Sequence, residues 1–128
     1  MELLNPQAEL THALLDVLPQ LGVDTYFYLP QEEVDYPFIV VGEQSTNGLY
    51  TKERPIVTVQ QVIHLFALAE NLEQVQQLAK RVEATIHNLQ QTENFQWMSK
   101  LTETALLMDD TTNDQLWHQV LTFMCQSN

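Results

Sequence analysis

From Ile56 to Leu68 the chain is rich in β-branched, aliphatic and aromatic residues, with few breaks. That composition predicts one long strand. Its two faces carry Val57, Val59, Ile63 and Leu65 against Thr58, Val62, His64 and Phe66. Neither face is cleanly polar. One is expected to lie under helices and the other against a neighbouring chain. Glu70-Asn71 interrupts the run. Apolar residues then fall at Leu72, Val75, Ala79, Val82, Ile86 and Leu89. Steps of three and four place them on one face of a helix. Asn71 is the expected N-cap, with Gln74 closing a capping box.

The same reading orders the rest of the chain. Asn5 and Pro6 open a helix over Pro6–Leu18 with a stripe of Leu10, Leu14, Val17, Leu18 and Leu21, and Pro19 and Gly22 end it. Thr25–Leu29 reads as a short aromatic strand, and residues 30–35 as an acidic loop. A strand starts at Pro37 and runs to Thr46, where Asn47-Gly48 signals a tight turn toward Ile56. The stretch 43–55, with Leu49 and Tyr50 as its apolar residues, is expected to be a mobile hairpin loop. Phe95–Met108 and Leu116–Cys125 form a closing hairpin around the turn-rich Asp109–Asp114. The order α-β-β-β-α-β-β implies an α+β two-layer sandwich. About five strands make an antiparallel or mixed sheet, and both helices cover one face.

Composition narrows the function. The 128 residues fit a single domain spanning 1–128, and no apolar run approaches the roughly 20 residues of a membrane helix. The N-terminus lacks the basic-then-apolar layout of a signal peptide. One cysteine, Cys125, allows no internal disulfide, which fits a reducing compartment. Net charge is −12, from 17 acidic and 5 basic residues. That balance argues against binding a phosphate backbone. It suits a soluble surface, or one that repels nucleic acid sliding past it.

Candidate chemistry is sparse. His12, His64, His87 and His118 are far apart in sequence, and Glu83 with His87 supplies two ligands where a metal needs more. His64, in a mostly apolar strand, reads as a hydrogen-bonded or interface imidazole. Cys125 reads as a small core residue, and Trp97 and Trp117 as core or interface anchors. Asp109, Asp110, Asn113 and Asp114 lack the spacing and glycine of a calcium loop. Three glycines leave no Gly-rich phosphate loop. The reading is a non-enzyme without cofactor or metal.

Taken together, the strand start Asp35–Val41, the Asn47–Lys52 loop and the long strand Val59–Phe66 resemble a known pattern. So do the helix Glu73–Ile86 and the closing acidic turn and strand, which follow in the same order. It is similar to the tail-completion (tail terminator) and neck proteins of long-tailed phages, over nearly the whole chain. The resemblance implies an α+β subunit that caps the tail tube as a homo-oligomeric ring, commonly a hexamer, and supports head–tail joining. Its partners would be the major tail tube protein and the head connector or neck proteins. DNA would pass through the hole without specific binding, and no membrane would be involved. The place would be the virion tail or neck, with assembly in the host cytoplasm. Lys52, Arg54, Val62, His64 and Phe66 are the expected oligomer-interface residues. A head-side neck component and a cytosolic α+β protein-binding adaptor stay open as alternatives.

Overall fold

The computed structural model describes residues 4–50 and 55–128, and of Leu49, Tyr50 and Pro55 the backbone alone. Helix α1 (Pro6–Val17) leads through a 3-10 turn, Leu18–Leu21, into β1 (Asp24–Tyr26). Strands β2 (Phe38–Tyr50) and β3 (Pro55–Leu68) follow, then a 3-10 turn at Ala69–Asn71 and α2 (Leu72–Asn88). β4 (Trp97–Asp109) and β5 (Leu116–Ser127) close the chain. The sheet has the order β1-β2-β3-β5-β4. β1 is parallel to β2 and every other neighbour is antiparallel, so the sheet is mixed. The fold is the expected α+β arrangement, with β3 at its centre.

Alternation along β3 decides the layers. Val57, Val59, Gln61, Ile63, Leu65 and Ala67 are all buried on the inner face, under α1 and α2. Leu10 and Leu14 of α1 meet Val75, Leu78, Val82 and Ile86 of α2 over this face. Each such side chain contributes about 2 kcal/mol of gross hydrophobic stabilisation. Ala79, expected in the stripe, packs at its margin, and Leu78 takes the buried position. Both sit on the sheet-facing side, and the longer side chain reaches the sheet. Asn5 caps α1 as expected, its Oδ1 accepting from Ala8 N at 3.0 Å. Asn71 makes no side-chain cap. The 3-10 turn before it is held instead by Ala69, whose N–H donates to Gln115 O and whose carbonyl accepts from the Trp117 indole.

The largest difference from the sequence expectation is the hairpin arm. Asn47 and Gly48 do not turn: they pair with Thr58 and Val57 inside the ladder, which runs on to Tyr50↔Pro55. The stretch expected as a loop is therefore strand over Glu43–Tyr50. A local turn preference yields where both flanking segments can keep pairing. β1 is also shorter than expected, because the chain leaves the sheet at Phe27. The segment 27–37 then crosses the outer face. There Val34 and Tyr36 join Tyr26 and Leu68 around Phe38, Val40, Phe66 and Leu116. Part of the second face is thus closed by the chain itself.

Candidate functional site

The site forms where β2 breaks register. Between Val41 and Gln44 a bulge places Gly42 and Glu43 opposite Val62. A bulge leaves ladder groups unpaired. Gln61, 1% exposed on the inner face, supplies the missing donor. Its Nε2 donates to Gly42 O at 3.3 Å and to Val62 O at 3.0 Å, while its Oε1 accepts from Gln44 Nε2 at 2.8 Å. The bulge aims Glu43 over the outer face.

There Glu43 Oε1 lies 2.8 Å from His64 Nε2, and His64 Nδ1 lies 2.7 Å from His118 Nε2. The His118 ring stacks on Phe66 at 4.4 Å between centroids, and Phe66 stacks on Phe38 at 4.9 Å. Gly42 makes room for the arrangement: a Cβ there would stand 2.6 Å from His64 Cδ2 and 2.8 Å from its Nε2. The hydrogen bond to His64 holds the Glu43 carboxyl below its usual range. Burial, and then the neighbouring His64, pushes the His118 imidazole down. Above these side chains a groove of about 370 Å³ opens, walled by Phe27, Tyr28 and Leu29.

Proton bookkeeping limits what this chain of groups can do. With both rings neutral, His118 donates to His64 Nδ1 and His64 donates to Glu43. With one added proton, one ring is an imidazolium that donates to the other. A second would set two N–H groups against each other. The set can store one proton and orient a carboxylate.

Of the expected interface residues, Val62 and His64 are half-buried on the outer face, and Phe66 lies beneath them at 7% exposure. Lys52 and Arg54 fall outside the described residues. The sequence placed His64 and His118 on faces of their own strands. It did not show that the β3–β5 register, Phe66↔His118 and His64↔Val120, makes those faces one. Elsewhere, Glu83 pairs with Lys80 at 3.6 Å, and His87 Nδ1 lies 3.3 Å from Ser99 O. Asp109 Oδ1 accepts from the N–H and hydroxyl of Thr111, forming a turn. Trp97 donates to Thr92 from the core. Cys125 is fully buried, which pushes its thiol up. Among the described residues, no three of His, Cys, Asp and Glu gather to hold a metal.

The architecture is shared with a chain in the virion of a native gene transfer agent (GTA) particle, with a TM-score of 0.72 at 13% sequence identity. The likeness covers 95% of this chain and 93% of that one. At such identity it speaks of fold. No protein-family model matches the chain, and neither does any curated protein.

Proposed function

We propose, taking the fold shared with that virion chain as premise, that this protein is a structural subunit of a phage-like particle. It caps the tail tube as a ring and supports head–tail joining. The observation that carries the reading is near-complete coverage of both chains in the likeness. The sequence resemblance to tail terminators supports it independently. In this reading the protein acts through contacts rather than catalysis and needs no cofactor. Its partners are copies of itself, most simply six, the major tail tube protein and the head connector.

The charge distribution suits a DNA passage. Glu33, Asp109 and Asp114 gather around Tyr36, where burial and then their charges push its hydroxyl up. Asp24, Glu32 and Asp35 lie near Tyr26 on the same side of the sheet. A carboxylate-rich end facing the hole would keep DNA from sticking as it passes. Val62 and His64 on the outer face, with Phe66 behind them, contribute to subunit contacts, as do Lys52 and Arg54.

Deletion of the gene from the producing phage or prophage tests the reading by electron microscopy of the particles. The expected outcome is heads without tails beside tubes of uncontrolled length. Normal joined particles would sink the tail role and favour the adaptor alternative. Finished tails of normal length beside unjoined heads would move the protein to the head side of the neck.

A further inference from the structure

Large apolar side chains are exposed at two places among the described residues. Phe27, Tyr28 and Leu29, 58–65% exposed, follow β1 directly. Met98, Leu106, Leu107 and Met108, 37–77% exposed, lie on β4. β1 and β4 are the two opposite edges of the sheet. A single monomer gains nothing by presenting both, and exposed apolar edges invite association.

Three features of these edges match. First, β1 covers only Phe38–Val40, so from Val41 to Tyr50 no described strand pairs with the outer edge of β2. The whole outer edge of β4 is likewise without a strand. Second, the directions suit each other. β2 opposes β3, β3 opposes β5 and β5 opposes β4, so β2 and β4 run in opposite senses. A second copy in the same orientation therefore brings its β4 antiparallel to this β2. Third, both edges bend in the same row. The β2 bulge, between Val41 and Gln44, and the β4 bulge, between Leu101 and Glu103, flank the pair Val62↔Thr122. Bulges set local twist, so one edge follows the other.

We propose that copies of this chain join head to tail by pairing β4 of one subunit with the free edge of β2 in the next. This rests on the ring reading above and assigns its contact. Aligning the two bulges in one row sets the register. Ser45, Gln60, Met124 and Lys100 share one row, so Lys100 of one copy meets Ser45 of the next, close to Glu43. That sets one of only five basic residues beside a carboxylate that is 74% exposed. Beyond the bulge β1 occupies the edge, so the end of β4 leaves the ladder. Leu107, which shares the outer face with His118, then packs on Phe27–Leu29 and covers the groove. The contact is heterologous, and such contacts give rings when the rotation closes.

Ser45→Cys and Lys100→Cys together test it in the purified full chain at high concentration under mild oxidation. The expected product is a ladder of disulfide-linked multimers on a denaturing gel, absent from either single variant. Leu107→Glu added to the pair should abolish the ladder and leave the melting temperature unchanged. Monomers alone, or dimers from either single variant, would overturn the edge pairing. The outcome separates from that of the gene deletion. A ladder with normal particles keeps the contact and loses the tail role, and tailless heads with no ladder do the reverse.

Discussion

His64 Nδ1 and His118 Nε2 face each other at 2.7 Å, so the two imidazoles share one proton across the β3–β5 pair. His118 sits below the ordinary value of 6.5 because burial and then His64 oppose its charge, against weaker support from Asp109 and Glu43. Above about pH 6.5 neither the folded nor the unfolded state protonates it, and it does not affect stability. As the pH falls, the unfolded chain takes a proton that the folded ring refuses, so stability declines. The Glu43 carboxyl is lowered mainly by its bond to His64. Its contribution persists until the pH falls below the ordinary carboxylate range. Thermal melting should therefore drop as the pH falls below about 6.5 in the native chain. In His118→Phe, which keeps an aromatic ring on Phe66, this slope should flatten. Identical slopes would show that the pair does not control acid stability.

Gly42→Ala should displace the His64 ring. The added Cβ would fall 2.6 Å from Cδ2 and 3.2 Å from Val62 O, and the backbone oxygen cannot move away. The Glu43–His64 bond should break while the inner core, on the opposite face, stays intact. Imidazole NMR signals report it: the ring resonances of His64 and His118 should both move as their contact is lost. Unchanged signals would place the ring farther from Gly42 than the structure does.

Gln61→Leu should destabilise the domain by about 2 kcal/mol despite its apolar setting. The leucine suits the apolar inner face but removes the donor that Gly42 O and Val62 O share. Urea denaturation measures the loss. A neutral or stabilising result would mean that water replaces the amide at the bulge.

Val82→Asp should cost about 4 kcal/mol and leave little folded protein. Val82 is fully buried in the α2 stripe against the sheet, in the hydrophobic core. Circular dichroism should show the loss of cooperative melting. A folded variant of native stability would refute the packing of α2.

Local pattern determined much of this molecule. The alternation of β3, the three-and-four spacing of α2 and the capped start at Asn5 each follow from contacts within one element. They therefore predicted the element order and the α+β layering. The same local signals misled at Asn47-Gly48, where a turn preference worth little lost to continued pairing with Val57 and Thr58. They also left Leu78 out of the buried stripe. What no stretch of sequence carries is register. The meeting of His64 with His118, 54 positions away, depends on how β3 slides against β5. So does the shared row of the two bulges. Register is set by the summed burial of both faces across the whole sheet, a quantity that exists once all five strands are in place.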